Sequence, residues 1–206
     1  MTRRTRTLEP AYFDAVYARD SDPWKFGSSL YERNKYAATL SALPKPRYAN
    51  ALEIGCSIGV LTRELAPRCD AILAVDVAPA PLIEAQRRCA EFPSVRFEPM
   101  FVPGQWPGGL FDLVLLSEVV YYLQVEDLER LASKVVGSLI PGGDVVLVHW
   151  TGETDYPLTG DEAADRFIAA VEPSLRLGRT ERRTDFRLDV LWRPEGALPQ
   201  PGEGAA

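Results

Sequence analysis

The stretch "NALEIGCSIGVLTREL", residues 50 to 65, limits the fold more than any other part of the chain. A short apolar run carrying Glu53 meets Gly55, and Gly59 then leads into a segment with helical spacing. Gly55 lets the backbone turn tightly and approach a ligand with no β-carbon in the way. Gly59 opens a helix whose free amides face the same turn. A second apolar run, "AILAVD", ends in Asp76, where a carboxylate is placed to accept from both hydroxyls of a ribose. A phosphate loop of the GxxxxGK[ST] type is excluded, because no lysine follows at the required position. A dinucleotide turn asks for a middle glycine, yet Ser57 stands there and Val60 follows Gly59. Those features weaken a dinucleotide reading and leave room for a nucleoside ligand without a phosphate.

Short apolar runs alternating with amphipathic segments predict a mostly parallel sheet covered by helices on both faces. Strands are expected at 50–54, 71–75, 94–98, 111–116 and 144–150, with helices at 59–67, 79–91 and 124–139. In the last helix Leu128, Leu131, Ala132, Val135, Val136 and Leu139 recur at three and four positions, and "IPGG" is expected to end it. Ahead of the sheet, 8–18 reads as a short helix and "RDSDPWKFGSS" as a loop. A second helix through Tyr36, Leu40 and Leu43 is stopped by Pro44 and Pro46. Beyond Trp150 come a loop, a helix at about 160–171 and two final strands within "SLRLGRTERRTDFRLDVLWR". The fold class is therefore α/β, a single Rossmann-like domain. Residues 1–45 form a helical cap within that domain, 46–194 the core and 195–206 a flexible tail.

A chain of 206 residues that is 46% hydrophobic can bury one sizeable core. Its net charge of -6 argues against a broad nucleic-acid surface, and the arginines of "MTRRTRT" read as a mobile, soluble tail. Cys56, Cys69 and Cys89, with His149 as the single histidine, supply neither a disulfide scaffold nor a structural metal cage. No apolar stretch has membrane-spanning length and no secretory segment opens the chain. A cytoplasmic location without a membrane partner is expected, and the oligomeric state stays open.

"ALEIGCSIG", "LAVD" and "FDLVLLSEVVYYL", in this order and spacing, resemble the motifs of class I S-adenosylmethionine-dependent methyltransferases over about residues 45–150. "DPW", "SLYERNKYAATLSALP", "SEVVYYL", "HW" and "YPLTGDEAADRF" extend the resemblance to the nodulation protein S family, over about residues 11–170. Members of that family methylate the amine of a de-N-acetylated chitin-oligosaccharide precursor. The resemblance implies that Glu53, Gly55, Cys56, Ser57 and Gly59 surround the methionine part of S-adenosylmethionine, that Asp76 holds the ribose and that Val77 lies beside the adenine. It also implies that Ser117 and Glu118 border the transferred methyl, and that Trp24 and Arg33 close the front of the pocket, Arg33 facing the methionine carboxylate. Three departures stand out: Ser57 replaces a glycine, Phe101 stands where relatives carry an aspartate for the adenine amine, and Ala164 where nodulation enzymes carry a histidine.

The expected reaction is methyl transfer from S-adenosylmethionine to a small-molecule acceptor, an amino sugar or sugar-bearing amine. O-methylation and a noncatalytic nucleoside-binding scaffold are the alternatives. An amine must lose its proton before attack, which a carboxylate or a histidine can accept. Glu118, Tyr122 and His149 are the catalytic candidates, and Tyr121, Trp150, Asp155, Tyr156 and Asp161 the substrate-side candidates. Each has a plain structural role as well. The tyrosines fill a core, His149 closes a strand, and Thr159 or Asp161 caps a helix.

Overall fold

The structure, a computed structural model, describes residues 2–196. Its elements are α1 (Pro10–Tyr17), α2 (Leu30–Ala42), β1 (Ala51–Ile54), α3 (Val60–Leu65), β2 (Ile72–Asp76), α4 (Pro79–Arg88), β3 (Val95–Pro99), β4 (Phe111–Ser117), α5 (Val125–Ser138), β5 (Leu139–Trp150), α6 (Gly160–Val171), β6 (Arg176–Arg182) and β7 (Phe186–Trp192). They build one seven-stranded sheet in the order β3-β2-β1-β4-β5-β7-β6. The pairs β1–β2, β1–β4, β2–β3 and β4–β5 are parallel, whereas β7 runs antiparallel to both β5 and β6.

Period-two alternation sorts the strand side chains into two cores. Leu52, Val114, Leu116, Val145 and Leu147 pack with Leu128, Leu131 and Val135 of α5 and Phe167 of α6. Ala51, Leu113, Leu115, Val146 and Val148 face the other way, against Tyr36 of α2, Leu61 and Leu65 of α3 and Leu82 of α4. The strand order reverses between β1 and β4, which opens a crevice at the carboxyl ends of these strands. Leu8, Phe13 and Tyr17, from α1 and the residues before it, cluster with Ala78, Trp24 and Tyr122 over that edge.

Several boundaries differ from the sequence expectation. Pro67 has no N–H to continue the ladder, so the helix expected to reach residue 67 stops at Leu65 and tightens into a 3₁₀ turn over Ala66–Arg68. The helix expected over 79–91 ends at Arg88. "IPGG" does not form a helix-ending turn outside the sheet. Leu139 pairs at once with Phe111, and the four residues lie inside a longer β5. The arginine-rich start is tied down, contrary to the expected mobile tail. Arg4 N–H donates to Asp155 O (2.8 Å), Leu8 N–H donates to Tyr122 O (2.9 Å), and the Thr7 hydroxyl bonds Asp127. The tail expected over 195–206 lies, beyond Gly196, outside the described residues. Among the described residues no helix is long and apolar enough to cross a membrane.

Candidate functional site

The turn after β1 places three residues in left-handed backbone conformations: Gly55 (φ 86°), Ser57 (φ 47°) and Gly59 (φ 74°). Ser57 thus adopts the backbone of the glycine it replaces, at a cost of about 1 kcal/mol. Its contacts offset that cost. The Ser57 amide donates to Asp76 Oδ2 (2.9 Å), and its hydroxyl lies 2.6 Å from the Tyr17 hydroxyl of α1. Asp76 Oδ1 accepts from the Ala78 amide (3.0 Å), which leaves one acceptor position on each oxygen for a diol. Burial pushes the Asp76 carboxyl up to about 6, against the pull of these amides, so it is charged at neutral pH.

Glu53 points the other way. Its strand parity sends it under α3, where it is fully buried and neither oxygen has a hydrogen-bond partner. Burial raises its pKa from 4.5 to about 7. The folded chain therefore binds this proton more tightly than the unfolded chain, and the associated stability fades as pH rises from 4.5 through about 7. The expected loss is about 3 kcal/mol, at roughly 1.4 kcal/mol per pKa unit. Glu53→Gln removes this dependence. Denaturant unfolding at pH 5 and pH 8 should show the variant gaining on the wild type by about that amount at the higher pH, and a constant difference would refute the assignment.

At the end of β4, Glu118 is also left-handed (φ 57°) and is held from every side. Oε1 accepts from Lys35 Nζ (2.5 Å), and Oε2 accepts from the Tyr121 hydroxyl (2.7 Å) and the Trp150 amide (2.8 Å). Lys35, with its side chain only 2% exposed, also bonds Glu32 Oε1 (3.0 Å), one helical turn back on α2. Burial alone would raise Glu118, but the Lys35 charge and the bonds from Lys35 and Tyr121 bring it below the usual carboxylate value. Glu32 is raised by burial, against the pull of Lys35 and Tyr36.

These groups line a cavity of about 330 Å³ at the carboxyl edge of the sheet. Of the residues singled out from sequence, Trp24, Gly55, Ser57, Asp76, Val77, Phe101, Ser117, Glu118, Tyr121, Tyr122, Trp150 and Tyr156 lie on its wall. Tyr121 stacks on Tyr156 (5.3 Å between centroids), and Tyr122 meets Tyr156 edge-on (4.7 Å). Glu53 and Cys56 instead border a smaller hollow behind the turn. Gly59 caps α3 against Ala85, which a β-carbon would approach to 2.8 Å.

Four candidates fall away from the cavity. Arg33 is on the exposed side of α2, where its position relative to the buried Glu32 and Lys35 turns it outward. Asp155 pairs with Arg4 (3.0 Å) and Asp161 with Arg182 (2.5 Å). His149 shares strand parity with Val145 and Leu147 and is 1% exposed. Its Nε2 accepts from the Val120 amide (3.2 Å), and burial lowers its pKa to about 4. It is a neutral side chain behind the wall, its Nε2 taken and its Nδ1 buried without a hydrogen-bond partner among the described residues. Sequence reasoning missed Lys35, Glu32, Tyr31 and Tyr17 on the lining. A signal existed, since Glu32 and Lys35 fall on the same stripe of α2 as Tyr36 and Thr39, the stripe that is buried.

The wall carries three carboxylates (Glu32, Asp76, Glu118) and one cation, Lys35, already shared by two of them. Among the described residues no arginine lines it. Such a site favours a cationic nucleoside and disfavours a pyrophosphate, which answers the dinucleotide alternative.

The sheet order and a carboxylate-floored crevice at the strand ends define a Rossmann-like methyltransferase fold. A crystal structure of N-methyltransferase NodS from Bradyrhizobium japonicum WM9, in complex with S-adenosyl-l-homocysteine, superposes with a TM-score of 0.76 at 23% identity over 90% of this chain and 98% of that one. A model of the nodulation protein S family matches residues 16–150. The chain belongs to the nodulation protein S family. It is 30% identical to nodulation protein S of Bradyrhizobium diazoefficiens over 193 residues, which covers 89% of this chain and 91% of that protein. It is 32% identical to the Rhizobium tropici protein over 127 residues, 61% of this chain and 53% of that relative, so this match spans about half of the relative's length.

Proposed function

We propose that the chain is an S-adenosylmethionine-dependent N-methyltransferase acting on a small amine, an amino sugar or sugar-bearing molecule. The observation that carries this reading is the Ser57–Asp76 turn facing a cavity with three carboxylates and a single, engaged lysine. The residues present fit the donor. Asp76 has free acceptor positions for a ribose diol, Val77 and Phe101 offer an apolar wall to adenine, and Gly55 and Ser117 lie together on the wall that would face the methionine chain. The donor, when bound, supplies a methyl group on a sulfonium sulfur, whose positive charge the carboxylates match.

The chain's own work is alignment and exclusion of water. Glu118 holds Tyr121 and the start of the loop after Trp150, so the aromatic wall keeps its shape where the acceptor meets the methyl. Tyr121, Tyr122, Tyr156 and Trp150 give flat faces suited to a sugar ring, with hydroxyls at their edges. Membership of the family and the likeness to the Bradyrhizobium N-methyltransferase support amine over alcohol.

Calorimetric titration with S-adenosylmethionine, S-adenosylhomocysteine and NAD should show binding of the first two alone. Asp76→Ala should weaken both by about 10- to 100-fold, through loss of two charge-assisted bonds. Methyl transfer, read by mass, should then appear on amino sugars within a panel of amines, alcohols and carboxylates. Transfer confined to alcohols would establish O-methylation instead, and cofactor binding with no transfer to any acceptor would establish the scaffold.

A further inference from the structure

Ser57 brings a hydroxyl into a turn whose backbone suits glycine, and that hydroxyl meets a second one from the cap. Ser57 Oγ and the Tyr17 hydroxyl of α1 lie 2.6 Å apart, on residues that both line the cavity. Two hydroxyls carry two hydrogens, and the bond between them uses one. The phenol is the more acidic of the pair, so Tyr17 donates and Ser57 Oγ accepts. The Ser57 hydrogen is left over. Among the described residues it meets no acceptor, since the Asp76 oxygens are bonded to the Ser57 and Ala78 amides and not to this hydroxyl. Ser57 is 7% exposed and Tyr17 8%, and a donor so nearly buried calls for an acceptor on whatever fills the cavity.

We propose that the Ser57 hydroxyl donates to a ribose hydroxyl oxygen of the bound nucleoside, with Tyr17 as the positioning residue that turns it. The proposal rests on the reading of this cavity as an S-adenosylmethionine site. A ribose hydroxyl that gives its hydrogen to Asp76 keeps its own lone pairs, and a carboxylate has no hydrogen to offer them. The wall must supply a donor there. Lys35 and Tyr121 are both spent on Glu118. Ser57 stands beside the carboxylate, because its amide already donates to Asp76 Oδ2 (2.9 Å). One residue thus fixes the carboxylate through its backbone and addresses the same diol through its side chain. The result is a run of hydroxyls from Tyr17 through Ser57 and the ribose to Asp76, in which each O–H polarises the next. It assigns the Ser57 side chain to the ribose, whereas the resemblance placed this residue at the methionine end.

Calorimetric titration of the wild type, Ser57→Gly and Tyr17→Phe with S-adenosylhomocysteine and its 2′-deoxy and 3′-deoxy forms tests this. Ser57→Gly deletes the hydroxyl and suits the left-handed backbone (φ 47°), so the turn keeps its form. It should bind S-adenosylhomocysteine about 3- to 10-fold more weakly, the worth of one neutral hydrogen bond. Against the deoxy form that lacks the accepting oxygen, the loss should shrink below about 2-fold, because the contact is absent from both complexes. Against the other deoxy form the full loss should persist. Tyr17→Phe keeps its ring edge-on to Trp24 and leaves the Ser57 hydrogen in place but unoriented, so it should show a smaller loss with the same dependence on ligand. A packing role for either side chain would weaken all three ligands alike. Equal losses across the three would overturn the proposal, and so would a larger loss in Tyr17→Phe than in Ser57→Gly, which would put the contact on the phenol. A wild type that binds no S-adenosylhomocysteine defeats the functional reading itself, a different outcome.

Discussion

Gly55→Ala should unfold about 10 °C below the wild type and bind no S-adenosylmethionine. Two effects act together at this position. Gly55 has φ 86°, which costs an L-residue about 1–2 kcal/mol. Its added β-carbon would also overlap the carbonyl oxygen of Ser117 and the side chain of Val119. The first obstacle is backbone of the adjacent strand β4, so relief requires moving a strand, at about 1–3 kcal/mol more. The sum, about 2–5 kcal/mol, corresponds to roughly 10 °C in a domain of this size, readable by calorimetry. The ligand loss follows from the same motion, because Gly55, Ser57 and Ser117 share the cavity wall. A variant with unchanged melting and cofactor affinity would show that the turn tolerates what its geometry forbids.

The centre of the sheet was legible because β1, β2, β4 and the second half of β5 are buried on both faces, so each is a run of apolar residues with little interruption. "DLVLLS" and "VVLVHW" divide by parity into the two cores as written. The turn was legible in outline: Ser57 looked like a lost glycine, and the backbone kept the left-handed conformation. Its compensating contact with Tyr17, forty residues earlier, was not. His149 and Trp150 sit at the expected sheet edge, but one step along a strand reverses the face, so His149 meets the Val120 amide and Trp150 meets the cavity. The acidic motif residue Glu53 obeys the same rule and faces α3. Least legible was the "YERNKY" helix. The stripe it shares with Tyr36 marks Lys35 as buried, but its partner Glu118, 83 residues away, is met only in the fold. Local pattern shows where a side chain points, and only the tertiary fold shows what it meets.

That cluster gives the second large effect, in Lys35→Met. Replacing a buried ion cluster wholesale with apolar groups is often neutral, whereas deleting one partner strands the others. With Lys35 gone, Glu32 and Glu118 face each other in the wall without the ammonium they share, and the expected cost at neutral pH is about 3–5 kcal/mol. The pH dependence should also change sign. In the wild type Glu118 is held below its unfolded value, so its stabilisation is present above that value and lost as pH falls. In the variant, burial acts on Glu118 without the lysine, raising its folded value. Stability is then greatest in acid, where both carboxyls are protonated, and is lost as pH rises. Denaturant unfolding of both chains at pH 5 and pH 7.5 should therefore show the deficit shrinking toward the lower pH, whereas an equal deficit at both would mean lost packing around the lysine stem. Tyr121 and the Trp150 amide still bond Glu118 in this variant, so the aromatic wall survives where the chain folds.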